Sequence, residues 1–183
     1  MENQNQLDPR SDLQLVADIN AGDAAAFEVL YFRHRDWVVN LALRFTGSED
    51  LALDVMQETF IYLLKKFPGF QLTAQLKTFL YPAVKHYSIA ARRKTERYQS
   101  TEAEQEKLAG LAASDSLPDE LSVVFADLSE EHREVLLLRF VDGLSLAEIS
   151  EAMFIPLGTV KSRLHNALEI LRNDPRTKEF FQQ

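Results

Sequence analysis

Apolar residues recur every three or four positions along almost the whole chain, and this spacing narrows the possible folds to helical ones. After Asp23, for example, the regularly spaced apolar side chains are Phe27, Leu30, Tyr31, Val38, Leu41 and Phe45. Such spacing gathers side chains on one face of an α-helix, whereas valine and isoleucine do not alternate as they would in strands. The sequence therefore predicts an all-α protein.

Caps and helix-breaking residues divide this pattern into separate helices. We predict helices over residues 12–21, 24–46, 48–66, 78–97, 119–127, 130–141, 145–153 and 157–171, with a loop over residues 69–75. Asp23 is expected to be an N-cap and Gly47 to end the second helix. The fourth helix is expected to begin near Thr78, or else to kink, because a proline such as Pro82 costs about 3 kcal/mol in a helix interior.

An acidic, alanine-rich segment separates the helices into two groups. Between residues 102 and 120 the acidic residues are Glu102, Glu104, Glu106, Asp115, Asp119 and Glu120, against the single base Lys107. The predicted organisation is two small helical domains joined by a flexible linker. It comprises an N-terminal arm with a short helix (1–22), a first domain (23–97), the acidic linker (98–117), a second domain (118–173) and a C-terminal tail (174–183).

Charge is unevenly distributed along the chain. The net charge of -8 argues only weakly against a nucleic-acid partner, because local charge determines the field that a phosphate meets at close range. Five bases, Lys85, Arg92, Arg93, Lys94 and Arg97, occur with the single acid Glu96 in residues 85–97. One such cluster can equally be a solvated helix face, so a second basic element is needed to indicate DNA binding.

The sequence lacks the residues that several classes of function require. The chain has no cysteine, which excludes disulfides, zinc–thiolate sites and a thiol nucleophile. The four histidines fall in different predicted helices without metal-ligand spacing, and there is no glycine-rich phosphate loop. We expect no catalytic residue, metal or cofactor. A polar N-terminus and the lack of an apolar run of ~18 residues predict a cytoplasmic protein without membrane insertion.

The segment from Ser145 to Leu171 predicts a helix-turn-helix. Ser145 and Glu148 have the spacing of a capping box, which opens a short helix, and a break follows at residues 154–156. The next helix has an apolar side and a polar side, and the polar side carries Thr159, Lys161, Ser162, Arg163 and His165. A helix of this kind fits the DNA major groove. An ordinary helical hairpin with a charged outer face has the same pattern, so periodicity alone leaves both interpretations open.

Three segments of this region resemble region 4 of extracytoplasmic-function (ECF) sigma factors. They are residues 134–139 (EVLLLR), 143–149 (GLSLAEI) and 155–164 (IPLGTVKSRL). Three further segments resemble region 2 of the same family: residues 27–31 (FEVLY), 54–60 (DVMQETF) and 76–94, which begin LKTFLY and end RRK. The resemblance covers about residues 24–97 and 119–173. It implies a non-enzymatic transcription initiation factor whose partners are core RNA polymerase, promoter DNA and an anti-sigma factor.

The resemblance also implies roles for individual residues. Asp54, Gln57 and Glu58 share one helix face and would dock on the clamp helices of the polymerase β′ subunit, with region 4 near the β flap. The implied -10 contacts are Lys77, Phe79, Tyr81, Lys85, His86, Arg92 and Arg93, because melted DNA needs rings to stack on and cations along its backbone. The implied -35 contacts are Thr159, Lys161, Ser162, Arg163 and His165 of the recognition helix.

Four residues depart from the pattern of the family. His86 replaces a common asparagine, Ala90 a common aspartate, Pro82 lies inside a helix, and Phe154 replaces a common glycine or asparagine. If the turn requires positive φ at Phe154, the cost is about 1–2 kcal/mol; alternatively, the ring packs into the core. Two other functions stay open at this point: an adaptor that binds an anti-sigma factor without touching a promoter, and a dimeric helix-turn-helix regulator.

Overall fold

The computed structural model describes residues 8–102, 125 and 128–177. The chain divides into two compact units, Met1–Ala112 and Ala113–Gln183. Within the described ranges the protein forms seven α-helices and no strand, which confirms the predicted all-α class. The helices are α1 (Asp12–Asn20), α2 (Ala24–Thr46), α3 (Glu49–Leu64), α4 (Leu76–Glu102), α5 (Glu130–Phe140), α6 (Leu146–Met153) and α7 (Leu157–Asn173).

The helix ends of the first unit follow from local capping. Ser11 and Gln14 form a reciprocal capping box at the start of α1. The Asp23 carboxylate accepts hydrogen bonds from the amides of Ala25 and Ala26, which confirms the predicted N-cap of α2. Gly47 ends α2 in the left-handed conformation, with φ at 66°, which a residue without a Cβ adopts without strain.

The core of the first unit lies where α2, α3 and α4 pack against one another, with α1 against α2. Its fully buried side chains include Leu15, Leu30, Val38, Leu63, Leu80 and Val84. Burial of side chains of this size stabilises the fold by roughly 1.5–3 kcal/mol each. The apolar spacing of the sequence therefore marks the faces that meet in this core.

The start of α4 differs from the prediction. The helix begins at Leu76, two residues before Thr78, and Pro82 lies in its interior. The amides of Thr78 and Phe79 donate to the Gln75 carbonyl at 3.0 and 3.3 Å, which closes the first turn. Leu76 is completely buried, so the longer helix gains apolar burial that offsets the cost of the proline.

The end of α4 also differs, because the helix continues to Glu102 rather than ending near Arg97. The first five residues of the predicted linker are thus helical. Residues 103–117 of that linker lie outside the described residues. So does the helix predicted for residues 119–127, apart from Phe125, which is helical.

The second unit packs α5 and α6 against α7. Its core cluster consists of Leu128, Leu136, Ala167 and Leu171, with Phe125, Leu164 and Leu168 packed on it. The Arg133 guanidinium donates to the carbonyls of Phe125 and Leu128 at 2.7 and 3.0 Å, which ties the chain before α5 to that helix. After α7, the buried Thr177 hydroxyl donates to the Leu171 carbonyl. The described part of the predicted tail therefore folds back on α7.

Candidate polymerase and nucleic-acid interfaces

The polar face predicted on α3 is exposed. Asp54, Gln57 and Glu58 all face solvent, while the opposite side of the helix, Ala52, Val55, Met56, Thr59 and Phe60, is buried. The structure thus brings the three predicted docking residues together on one accessible surface.

Apolar side chains that the sequence interpretation missed flank these three residues. Leu53 is 46% exposed, Ile61 44% and Leu64 51%. Leu53 and Ile61 lie four residues before and after Gln57, so they belong to the same helix face. Their exposure could have been predicted from the sequence, because helical spacing places them on the side of α3 away from the buried residues. An exposed patch that mixes apolar and acidic groups is typical of a protein-binding surface.

The predicted -10 aromatics have different environments. Phe79 is half-buried and stacks on Tyr62, with ring centroids 5.8 Å apart and ring planes at 15°. The centroid of its ring is also 4.6 Å from that of Phe70. Tyr81, in contrast, is 1% exposed and its ring contacts Phe45. The prediction that Tyr81 contacts DNA is therefore withdrawn. Tyr81, Val84 and Ser88 are three and four residues apart, on the α4 face that packs into the core.

The predicted -10 cations lie along the accessible side of α4. The Lys77 ammonium is 5.6 Å from the centre of the Trp37 ring, and the Lys85 ammonium is 5.6 Å from that of Phe45. His86, Arg92 and Arg93 are exposed. Lys77 and Lys85 are half-buried, and the Arg92 guanidinium donates to the Phe45 carbonyl at 3.4 Å and lies 3.6 Å from the Glu96 carboxylate. His86 and Arg93 are therefore the more accessible of these five side chains.

The loop over residues 69–75 is attached to α1 through Asn20. The Asn20 Oδ1 accepts from the Gly69 amide at 2.6 Å, and its Nδ2 donates to the Phe70 carbonyl at 2.8 Å. The partners are 49 and 50 residues apart, so no local pattern in the sequence could have indicated this contact.

The helix-turn-helix is formed by α6, Phe154 and α7. The capping box of Ser145 and Glu148 is present, as predicted. Phe154 adopts φ 54° and ψ 40°, in the left-handed region, and is 81% exposed. The alternative that its ring packs into the core is therefore wrong. A bulky residue in this conformation costs about 1–2 kcal/mol that no burial of the ring offsets.

Four of the five predicted -35 residues are at least partly accessible. Lys161, Ser162 and His165 are exposed, and Thr159 is half-buried. The His165 imidazole is 4.0 Å from Glu169 one turn later, at the limit of an ion pair. Arg163 differs: its guanidinium is 2.9 Å from the Glu131 carboxylate of α5, and its side chain is 20% exposed. It fastens α7 to α5 within the second unit.

A metal site and a membrane-spanning helix each have structural requirements that the described residues do not meet. In the described ranges, no three histidine, aspartate or glutamate side chains are close enough together to hold a metal ion. Likewise, none of the helices in the part of the chain that the structure describes is both long and apolar enough to cross a bilayer.

Comparisons with known proteins agree with this arrangement. The family model for sigma-70 region 2 matches residues 30–98, and that for sigma-70 region 4 matches residues 124–173. The ECF RNA polymerase sigma factor SigW of Bacillus subtilis is 30% identical over 177 residues, which cover 88% of this chain and 95% of SigW. The ECF sigma-E factor of Escherichia coli K12 is 32% identical over 179 residues, which cover 89% of this chain and 93% of sigma-E.

Two solved structures show the same fold. CnrH, solved in complex with the cytosolic domain of CnrY, is 20% identical with a TM-score of 0.63, covering 87% of this chain and 93% of CnrH. The sigma factor RpoE of Bartonella quintana, solved with the anti-sigma factor NepR, is 23% identical with a TM-score of 0.59, covering 80% of this chain and 94% of RpoE. The full-length sequence relatives and the two region models together lead to one conclusion: this chain belongs to the ECF group of the sigma-70 family of RNA polymerase sigma factors.

Proposed function

We propose that this sigma factor directs transcription initiation by docking on core RNA polymerase with its first unit and by binding the -10 and -35 promoter elements with its two units. It has no catalytic chemistry of its own, as its membership of a family of non-enzymatic initiation factors implies. The observation that carries the proposal is the presence in one chain of both family regions, each with an exposed recognition surface. The cytoplasm, where the polymerase works, is the proposed location.

Docking on the polymerase is assigned to the exposed face of α3. Asp54, Gln57 and Glu58 would contact the β′ clamp helices, and Leu53 and Ile61 would be covered in the same contact. Exposed apolar side chains beside acidic groups support this role, because burial of the former adds affinity and the latter add specificity.

Binding of the -10 element is assigned to α4 and the loop before it. Phe79 offers a ring on which a base can stack, and Lys77, Lys85, Arg92 and Arg93 offer charge to the displaced strand. His86 is exposed between these cations, and the loop over residues 69–75 is the proposed site for a flipped base. Tyr81 is left out because it is buried.

Binding of the -35 element is assigned to α7, with region 4 held near the β flap. Thr159, Lys161, Ser162 and His165 occupy its first turns, which in helix-turn-helix proteins lie against base edges in the major groove. Arg163 is paired with Glu131 of α5 and would contact DNA less than Lys161 does. Each unit alone should bind DNA weakly, and the covalent connection raises the effective concentration of the second unit at its site.

An anti-sigma factor is the proposed regulatory partner. The fold of this chain is that of RpoE, which was crystallised with the anti-sigma factor NepR. A protein that covers the α3 face would prevent polymerase docking, and the exposed leucine and isoleucine side chains suit such a contact.

Run-off transcription tests the proposal directly. Purified core polymerase and this chain would be supplied with a library of genomic fragments from the source organism. We expect transcripts whose start sites share two upstream elements, and these elements give the promoter sequence. Absence of any transcript above that of core polymerase alone would refute the function.

A substitution on α3 tests the docking assignment separately. Glu58→Lys should weaken binding to core polymerase at least ~10-fold, because charge reversal in an interface costs several kcal/mol. Glu28→Lys is the matched control, since Glu28 is exposed on α2. Wild-type affinity of Glu58→Lys for the core enzyme would exclude this face as the docking surface.

A further inference from the structure

We propose that Asn20 is a positioning residue for -10 recognition, acting through the loop at Gly69 and Phe70 on the ring of Phe79. Asn20 lies outside the residues matched by the region 2 model, which begin at residue 30. The inference rests on the proposed -10 role of Phe79, and it extends the -10 surface to include α1 as its support.

The Asn20 clamp is the pair of hydrogen bonds that this side chain forms with Gly69 and Phe70, and it uses both ends of the side-chain amide. The Gly69 amide donates to Asn20 Oδ1 at 2.6 Å, and the Asn20 Nδ2 donates to the Phe70 carbonyl at 2.8 Å. A backbone donor and a backbone acceptor from two adjacent residues are thus satisfied together, which fixes the direction of the backbone between them. Gly69 has φ at +100°, which other residues rarely adopt, so the clamp acts where the backbone has the conformational freedom of glycine.

The helix that carries Asn20 is itself firmly attached. Leu15 and Val16 of α1 are buried against α2. The Asp12 carboxylate is 2.7 Å from both the Arg33 guanidinium and the His34 imidazole. Because α1 is held at its first turn and along its apolar face, Asn20 at its last residue is a fixed point for the loop.

The clamp is connected to the -10 surface through aromatic contacts. Phe70 is 8% exposed, and the centre of its ring is 4.6 Å from that of Phe79. Phe79 is in turn stacked on Tyr62. A shift of the Phe70 backbone therefore changes the packing around the Phe79 ring, whose position also depends on Tyr62 of α3.

Loss of the Asn20 clamp should lower the affinity for DNA, because the loop would then have to become ordered on binding. In the wild-type protein the loop and the Phe79 ring are already ordered, so DNA binding loses little conformational entropy there. Without the two hydrogen bonds the loop must become ordered when DNA binds, and this entropy loss lowers the affinity. A purely structural role for Asn20 would lower the stability of the unit and affect every DNA ligand alike.

The experiment uses holoenzyme assembled from core polymerase and three variants of the chain. Asn20→Leu removes both hydrogen bonds. Asn20→Asp keeps the acceptor for the Gly69 amide and loses the donor to Phe70. Asn40→Leu makes the same Asn-to-Leu change at an exposed position on α2 and is the matched control. The probes are fork DNA with a duplex -35 element and a single-stranded -10 element, taken from the promoter found by run-off transcription, and the same DNA with abasic -10 positions.

We expect Asn20→Leu to bind the intact fork about 5- to 150-fold more weakly than wild type, the equivalent of two net hydrogen bonds. On the abasic fork it should equal wild type, because no base is left to stack. Asn20→Asp should fall between the two on the intact fork, and Asn40→Leu should match wild type on both. Asn20→Asp also gives a result if the leucine variant does not fold.

Two results would overturn the inference. One is Asn20→Leu binding the intact fork as tightly as wild type; the other is equal weakening on both forks, which is the mark of a structural defect. A wild-type holoenzyme that does not distinguish the intact fork from the abasic fork would instead refute the proposed -10 surface itself. The two failures are therefore distinguishable in one set of measurements.

Discussion

The guanidinium of Arg163 on the recognition helix α7 lies 2.9 Å from the carboxylate of Glu131 on α5. The Arg163 side chain is 20% exposed, whereas Lys161, two residues earlier, faces solvent. Lys161 and Arg163, the two cations in the first half of this helix, therefore have different roles: Lys161 faces solvent, and Arg163 is engaged within the unit.

Neutralising Glu131 should strengthen DNA binding. Glu131→Gln frees Arg163 and removes a negative charge beside α7, so affinity for -35 duplex should rise. Glu130→Gln removes the same charge one residue away and serves as the control. Fluorescence anisotropy at several salt concentrations measures both variants, and a Glu131→Gln affinity no higher than that of Glu130→Gln would contradict the role assigned to the ion pair.

Removing Lys161 should affect DNA binding and leave stability unchanged. If Lys161 contacts phosphate, Lys161→Ala weakens binding to all sequences and reduces the salt slope by about one unit. If it contacts a base, discrimination falls by about 1–3 kcal/mol. Arg163→Ala should in addition lower the unfolding free energy, by no more than about 1 kcal/mol for a partly exposed pair. Identical salt slopes and base discrimination for Lys161→Ala and wild type would remove Lys161 from the interface.

Two aromatic substitutions on α4 should affect different properties: one should change the stability of the fold and the other the binding of DNA. The Tyr81 hydroxyl is buried and has no hydrogen-bond partner among the described residues, so Tyr81→Phe should raise the unfolding free energy by about 1 kcal/mol and leave DNA binding unchanged. Phe79→Ala should weaken binding to the -10 single strand by about 1–3 kcal/mol through loss of base stacking. Weaker DNA binding by Tyr81→Phe would reopen the contact that its burial excludes.

Phe154→Gly should stabilise the second unit by about 1–2 kcal/mol, because glycine adopts the left-handed conformation without strain. Phe154→Ala removes the ring but keeps a Cβ, so it should leave stability nearly unchanged. Far-UV circular dichroism is the appropriate measurement, since Trp37 and all five tyrosines lie in the first unit. Equal stabilisation by glycine and alanine would show that the exposed ring, rather than the backbone, is the cause.

The stability contribution of Asp12 should depend on pH. Burial raises the pKa of Asp12, but the hydrogen bonds and charges of His34 and Arg33 outweigh it, so the pKa lies below its ordinary value. A lowered carboxyl pKa stabilises the fold above about pH 4, and this contribution is lost as pH falls through the folded-state pKa. Asp12→Asn should therefore cost about 1–2 kcal/mol near neutral pH and less in acid. Denaturation followed by Trp37 fluorescence measures the difference, which should not be constant between pH 7 and pH 3.

Much of the local structure could be predicted because it depends on residues within one helical turn. The caps at Ser11, Asp23 and Ser145 each satisfy amides two or three residues away, so their spacing in the sequence is sufficient. The exposed position of Asp54, Gln57 and Glu58 on α3 likewise follows from helical periodicity alone. For the same reason the helix-turn-helix pattern, together with the family resemblance, indicates the type of function without tertiary information.

The amino-acid sequence on its own thus determined the helical class, most helix ends and the three candidate surfaces. Only the tertiary structure decided that Tyr81 is buried, that α4 begins at Leu76, that Arg163 is engaged by Glu131 and that Asn20 holds the loop at Gly69. These contacts join residues 32 to 50 positions apart or depend on which helix faces meet. Their energies arise from packing and hydrogen bonding between elements, for which the spacing of residues along one helix carries no information.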